Sequence, residues 1–360
     1  MSTKKSQKLE SSIMQYNWIT PSRCSQHQLP SAQIEQWQQK GFCFVSDLLP
    51  TDLIQALIDD ANQHFPKPDS EAAADISDFG SGGRFTFPSR TVSFNKMTLH
   101  PALLSAIAQL LKTKENELRL SQADLWAKYG RRPGDEAKAS IQDNADQRIH
   151  VDYPNHTIAH PSPWGRPEAV EMILYLDDVD QVGGPTAVVP RDGADDPRYP
   201  WPIVDSPGIG DLRYINDRTN AEKYFSQQRP DLAAWRQSLY AAEQHVRFKP
   251  GDILFYRHDV WHRGTPMNTG QRRLVTNITY RKAEAEWIST LHTGWAWSAY
   301  RDDKFLEKLI ATSNLDQRAV LGFPQPESNY WCPETLAAIE ARYGMFGFDI
   351  QPYKQAMNLH

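Results

Sequence analysis

The sequence predicts a mainly β protein with helices before and after its sheets, the strands forming a sandwich or open barrel of the jelly-roll type. Three observations carry this reading. The middle of the chain is a succession of short runs rich in β-branched and aromatic residues: LRLSQADLWAKYG, RIHVDY, AVEMILYLDDV, TAVVP, HVRFKPGDILFY, VWHRG and RRLVTNITYRK. Clusters of Gly, Pro and Asp punctuate them, as turns require. Both flanks instead place apolar residues at helical spacing. Many short strands at turn-bounded intervals are the signature of packed antiparallel sheets.

In chain order, SAQIEQWQQKGFCFVSDLLPTDLIQALIDDANQHF (31–65) reads as a helix, a short strand at FCFV, and a second helix from Pro50–Thr51, with Thr51 as its cap. The Gly-, Ser- and Asp-rich stretch 66–95 reads as a surface loop, and LHPALLSAIAQLLKT from Leu99 as an amphipathic helix. The strand-rich middle comes next. It is interrupted at 191–240 by an insertion that begins Asp- and Pro-rich and turns helical at AEKYFSQQ and LAAWRQSLY. From about residue 284 the pattern is helical again, in DDKFLEKLIAT and CPETLAAIEARYG. The expected organisation is a polar N-terminal extension (1–30), one catalytic domain with a β core (31–283), and a C-terminal helical extension (284–360) packed on it.

Composition narrows the function classes. The 360 residues suffice for one large core, and 40% hydrophobic with 23% charged residues is ordinary for a globular protein. A net charge of −5 argues against nucleic acid as a partner. The mixed-sign stretches KAEAEW and RRPGDEAK read as solvated faces. No apolar run approaches the roughly 18 residues needed to span a bilayer. No apolar segment succeeds the polar start MSTKKSQKLESS, which argues against a secretory signal. Cys24, Cys43 and Cys332 are scattered, odd in number and free of any CxxC, which suits buried thiols in a reducing compartment. The expected location is the cytoplasm.

The chemistry begins in RIHVDY. His150 and Asp152 are two residues apart, so on a strand both side chains point to one face. A neutral imidazole beside a carboxylate supplies two cis ligands for a divalent metal. An H-x-D tripeptide also arises by chance, as a surface pair, and gains force only from partners further along the chain. KPGDILFYRHDVWHRG carries a Gly-Asp turn, a strand, a second turn at Arg257–Asp259, and then His262. A histidine starting a strand there can fold back beside the first pair. The result is the two-His, one-carboxylate facial triad of non-haem Fe(II) oxygenases, with three positions left open. His258 is the competing candidate, but in the turn beside Asp259 it reads as a solvated residue. A helical HxxxH zinc site at His258 and His262 is disfavoured, because no acid lies between them as in HExxH and the flanks read as strand.

Arg273 lies eleven residues after His262, on the next expected strand. Oxygenases with this triad commonly consume 2-oxoglutarate, whose far carboxylate calls for the planar, permanently charged fork of an arginine. Arg272 is the rival, and strand alternation lets only one of the two point inward. Tyr175, in MILYLDD, is a candidate to donate its hydroxyl to the co-substrate, or a core tyrosine. Lys128 reads as solvated, with a pocket role as the alternative. His156 and His160, just past the metal pair, read as loop histidines, with substrate or metal support as the alternative. WAWSAY (Trp295–Tyr300) is an aromatic cluster, structural or lining a substrate wall.

Together these motifs resemble the phytanoyl-CoA dioxygenase family of Fe(II)/2-oxoglutarate oxygenases. The resemblance lies in His150-Val151-Asp152, VGGPTAVVP (Val182–Pro190), Gly251-Asp252 leading to His262, and Arg273 with Tyr280 seven residues on. QKGFCFVSDLLPTDLIQALI resembles the family's opening strand and helix, so the likeness covers roughly 33–283. It implies a double-stranded β-helix (cupin-like jelly roll) and iron held by His150, Asp152 and His262, with Arg273 favoured over Arg272 for 2-oxoglutarate. The implied reaction uses dioxygen to hydroxylate a C–H bond of a small molecule, releasing succinate and carbon dioxide. Asp152 argues against halogenation, for which the family replaces this carboxylate by a small residue. Two departures touch the co-substrate contacts: Arg191-Asp192-Gly193 stands where a Gly-Ser-His is usual, and Gly264-Thr265 where a small hydroxyl residue is usual two positions after the distal histidine. The alternatives are a non-catalytic cupin-like metal binder and a zinc hydrolase or isomerase built on the same triad.

Overall fold

Alternating residues on each strand face opposite ways, and the burial pattern shows where both sets go. The computed structural model describes residues 16–74, 83–130, 146–288 and 301–357. Its strands are β1 (Trp18–Ile19), β2 (Ser22–Arg23), β3 (Phe42–Ser46), β4 (Arg84–Thr86), β5 (Leu118–Tyr129), β6 (Ala169–Leu174), β7 (Thr186–Val188), β8 (Gln244–Val246), β9 (Ile253–Tyr256), β10 (His262–Gly264) and β11 (Arg272–Lys282). They form a seven-stranded sheet in the order β2-β3-β9-β6-β11-β5-β4 and a four-stranded sheet in the order β1-β8-β7-β10. The strands pair antiparallel except at β1–β8 and β2–β3. This is a jelly-roll sandwich with flanking helices, and neither sheet closes into a barrel.

On β3, Phe42 and Phe44 point between the sheets, where they join Leu254 and Tyr256 of β9, Val188 of β7 and Val246 of β8. Cys43 and Val45 point outward, as do Ile253 and Phe255, into a larger core with Trp37, Leu57, Leu103 and Leu110. Those four belong to the helices Ser31–Lys40, Thr51–His64 and Pro101–Leu111, which cover the outer face of the large sheet. One strand thus feeds two cores, the consequence of a period of two between covered faces.

Two further clusters support the inner mouth of the sandwich. The helices Arg218–Gln228 and Pro230–Ala241, with the irregular chain before them, pack Tyr199, Ile203, Ile209 and Leu239 around Ile149, Val151 and Tyr153. The C-terminal helices Phe305–Thr312 and Pro333–Tyr343 pack against Ile158, Ala159 and Trp287. From the latter helix Arg342 donates to the carbonyls of Thr157 (2.9 Å) and Ala159 (3.0 Å), and the Tyr343 hydroxyl to that of Ile158 (2.5 Å).

Several expectations are corrected. Residues 16–23 are not an appendage, since β1 and β2 join the two sheets. The 66–95 stretch is not all loop: it contains β4 and the start of the helix Val92–Thr98, whose Phe94 and Met97 are buried. Thr51 is the first helical residue and caps nothing; Pro50 occupies the cap position. RIHVDY is not a strand beyond a single bridge at His150, because Asp152 already has helical dihedrals and opens the turn Tyr153–His156. Pro154, which lacks an N–H, fits the first turn of that short helix. Cys24 and Cys43 are buried and Cys332 is half-buried, all three unpaired. RRPGDEAK and WAWSAY lie outside the described residues. Among the described residues no helix is long and apolar enough to cross a membrane.

Candidate metal centre

The centre is assembled where β10 meets the segment that precedes the Tyr153–His156 turn. His150 bridges His262 in antiparallel fashion. Asp152 and Tyr153 both send their amides to the carbonyl of His258 (3.0 and 3.1 Å), which curls the backbone and brings the Asp152 carboxylate under the two imidazoles. His150 Nε2 lies 3.4 Å from Asp152 Oδ1, and His262 Nε2 lies 3.1 Å from Asp152 Oδ2. The three donor atoms fall within 4.8 Å of one another. Same-face placement is therefore achieved by a turn, not by the strand alternation expected from the spacing.

The tautomers decide whether this group suits a cation. His150 Nδ1 sits 2.9 Å from the carbonyl of Arg148, and His262 Nδ1 sits 3.0 Å from that of Val260. A carbonyl only accepts, so each Nδ1 carries the hydrogen and each Nε2 presents a lone pair. Two lone-pair nitrogens and a carboxylate then converge in a buried volume, an arrangement relieved only by a cation or a proton. Burial, assisted by the neighbouring His262, pushes the pKa of His150 down to about 4. Burial alone would raise that of Asp152, but His262 and His150 hold its carboxyl well below the usual carboxylate range. Burial likewise opposes charge on His262, and Asp152 outweighs it, so its pKa is raised. The donor set fits Fe(II).

Arg273 and Arg272 separate as alternation requires. Arg272 reaches outward to Asn62 and to the carbonyl of Phe65 (3.2 Å). Arg273 points between the sheets and is 5% exposed. Its Nη1 donates to the carbonyl of Gly184, and its Nε has no partner. Among the described residues no carboxylate forms an ion pair with it. Burial lowers its pKa, opposed by Tyr175 and Asp177. The Gly183-Gly184 pair makes the approach possible. Both residues have positive φ, and a Cβ on Gly184 would stand 2.7 Å from Met267 Cγ and 3.3 Å from Arg273 Nη1.

Tyr175 is buried and stacks on Phe248 at 4.1 Å, and its hydroxyl donates to Thr186 Oγ1 (2.8 Å). Thr186 faces Gly264 across the β7–β10 pair, two residues beyond His262. Lys128 is half-buried, directly opposite Arg273 on β5. A Cβ on Gly264 would lie 2.7 Å from Gln147 Oε1, which accepts the Gly264 amide, so a larger residue there would have to push the Gln147 side chain aside.

The three other candidate histidines, His156, His160 and His258, are not solvated. His160 is fully buried, with Nδ1 3.0 Å from the Pro161 carbonyl and Nε2 accepting the Ile203 amide at 3.1 Å, which makes it a structural strut. His156 and His258 are buried side by side, rings stacked at 5.0 Å, with Glu171 of β6 between their Nε2 atoms. The turn at Arg257–Asp259 is covered because Arg257 donates to the carbonyl of Trp164 (2.5 Å) and pairs with Asp259 (2.9 Å), closing it off from water. Tyr256 and Glu171 were missed from the sequence. Tyr256 stands opposite Glu171 in register and donates to Asp152 Oδ2 at 3.2 Å. A lone acid at an inward position of AVEMIL was the available signal for Glu171.

The model of the family described as Phytanoyl-CoA dioxygenase (PhyH) matches residues 37–275. The chain belongs to the phytanoyl-CoA dioxygenase family. The match spans the candidate triad His150, Asp152 and His262 as well as Arg273, and with it iron and 2-oxoglutarate are the cofactor and co-substrate of this class of protein. No curated protein matches the chain in sequence. Among solved structures it is similar to the epimerase SnoN in complex with Fe3+, alpha ketoglutarate and nogalamycin RO, at 18% identity and TM-score 0.47, covering 74% of this chain and 88% of that one. It is also similar to the non-heme alpha ketoglutarate dependent carbocyclase SnoK from nogalamycin biosynthesis (13%, TM-score 0.47, 74% and 90%). A third is EctD from S. alaskensis with 2-oxoglutarate and 5-hydroxyectoine (14%, TM-score 0.46, 73% and 79%).

Proposed function

We propose that this member of the phytanoyl-CoA dioxygenase family is an Fe(II)- and 2-oxoglutarate-dependent dioxygenase that hydroxylates a C–H bond of a small molecule, releasing succinate and carbon dioxide. His150, Asp152 and His262 would hold the iron. Bound there, iron supplies the activation of dioxygen that no protein side chain provides.

The observation that carries the co-substrate assignment is the state of Arg273. A buried guanidinium facing no carboxylate is costly, and the far carboxylate of 2-oxoglutarate answers it with two parallel hydrogen bonds. Tyr175 and Thr186 add hydroxyls on the stretch between that arginine and β10, and Tyr175 is held rigid by its stack on Phe248. The Nδ1–H bonds of His150 and His262 to backbone carbonyls fix both rings before any ligand arrives, so little order is lost on binding. The sandwich core behind Tyr256 and the helices around Ile149 and Tyr153 keep bulk water away from the donor atoms.

The test is an anaerobic titration of the wild-type chain with Fe(II) and then 2-oxoglutarate, followed in the visible range. A charge-transfer band is expected, together with slow succinate formation once dioxygen is admitted. No band with wild type would sink the co-substrate assignment. Persistence of the band in an Asp152→Ala/His262→Ala double variant would sink the ligand assignment.

A further inference from the structure

A second metal-binding geometry lies beside the first. His156, on the short Tyr153–His156 helix, His258, in the turn after β9, and Glu171, on β6, bring ligand atoms within 4.8 Å of one another. His258 Nε2 is 3.0 Å from Glu171 Oε1, and His156 Nε2 is 3.5 Å from the same oxygen. Ligands 2.0–2.2 Å from a tetrahedral ion stand about 3.4 Å apart, so these separations are those of atoms sharing one ion. Glu171 is fully buried and His156 and His258 are each 5% exposed.

Hydrogen bonding does not account for the cluster. Neither carboxylate oxygen of Glu171 makes an aligned hydrogen bond, and nor does His258 Nε2, although His156, His258, Tyr256 and Asp152 all lie close to that carboxylate. They approach without the alignment that a shared hydrogen needs. A buried carboxylate without a donor is among the most expensive groups a fold can hold.

We propose that His156, His258 and Glu171 bind a second divalent transition-metal ion, distinct from the iron at His150, Asp152 and His262. Two imidazoles and one carboxylate leave a residual single positive charge on the bound ion, so Glu171 is fully offset within the fold. The ion ties three separate pieces of chain together: the turn that comes after Asp152, the turn that precedes His262, and the inner face of β6. Asp152 also sends its amide to the His258 carbonyl and accepts a hydroxyl from Tyr256, the register partner of Glu171. The second ion therefore braces the backbone that aims the first site's carboxylate. Its role is positional and independent of the identity of the reaction.

The test is zinc stoichiometry on the wild-type full chain, stripped with chelator, reloaded with Zn(II) and desalted. Two ions per chain are expected. The His150→Ala/Asp152→Ala variant should keep one, and a Glu171→Gln/His258→Gln variant should also keep one. A single ion in wild type, lost entirely in His150→Ala/Asp152→Ala, overturns the proposal, and so does retention of two ions in Glu171→Gln/His258→Gln. Zinc anomalous scattering from wild-type crystals reads the same question without a variant. A peak among His156, Glu171 and His258 is expected, and an empty position overturns the proposal. Failure of the oxygenase reading would show elsewhere, as a wild-type chain that gives no Fe(II)–2-oxoglutarate band while still holding two zinc ions.

Discussion

His150 and His262 exchange both backbone hydrogen bonds across a single antiparallel bridge, amide to carbonyl at 3.0 and 2.9 Å. Their ring centroids lie 4.5 Å apart. The spacing of the two proposed histidine ligands is thus set by the backbone, and what remains adjustable is the carboxylate beneath them.

Tyr256→Phe tests that adjustability. It removes the hydroxyl that donates to Asp152 Oδ2 while keeping the ring against His262. Groups that orient a metal ligand are worth about 10–100-fold in metal affinity. Fe(II) affinity, measured by competition with a chelator, should fall within that range, with the melting temperature little changed.

Arg273→Lys should raise the apparent KM for 2-oxoglutarate by about 10–100-fold, the equivalent of losing one charged hydrogen bond. Arg272→Lys, on the outer face, should leave that KM unaltered and cost only some stability through its contacts with Asn62 and Phe65. Steady-state kinetics with varied 2-oxoglutarate separates the two variants.

Gly184→Ala should resemble a weak Arg273 lesion. The added methyl crowds Met267 and the guanidinium, and its backbone sits at φ +62°, which costs about 1–2 kcal/mol for a residue with a Cβ. A loss of stability by denaturant titration should accompany a raised KM for 2-oxoglutarate.

How far these residues could be read in advance depended on how local their geometry is. The strands β5, β6, β9 and β11 were legible because a pleated chain covered on two sides carries continuous apolar character that turn residues bracket. Alternation allowed only one of Arg272 and Arg273 to point inward, and it was the family's spacing from the arginine to Tyr280 that favoured Arg273. Asp152 does lie beside His150 and His262, but not by strand alternation, since the chain turns there to satisfy two amides on one distant carbonyl. His258 was misread as solvated because the cover over its turn comes from Arg257 anchored to Trp164, a segment more than ninety residues away. β1, β2 and β4 are two or three residues long, too short to show any period.

Glu168 gives a pH dependence from a group that belongs to neither proposed ligand set. It is half-buried, accepts from Ser162 and Trp287, and desolvation pushes its pKa up to about 7 despite those bonds. Below pH 4.5 the carboxyl is neutral whether the chain is folded or not, and it carries no penalty. As pH rises towards 7 the unfolded chain ionises first, so stability is lost, by about 3 kcal/mol at completion at 1.36 kcal/mol per unit. Between pH 5 and pH 8 the urea midpoint should therefore fall less in Glu168→Gln than in wild type.

Arg342→Ala should destabilise the chain by about 2–4 kcal/mol, since two buried carbonyls lose their donor and a large side chain leaves a void. Fe(II) affinity should weaken in parallel, because Thr157 and Ala159 belong to the segment that runs straight on from Asp152. Urea denaturation and chelator competition on one preparation check both.

That arginine has a consequence for the order of events during synthesis. The carbonyls it holds at 157 and 159 are translated some 185 residues before it is. While the ribosome is still making the last stretch of the protein, the ligand-bearing turn has its histidines and its aspartate but not its clamp. The contacts that hold the chain just beyond Asp152 are thus complete only once the C-terminal helix has been made and has docked.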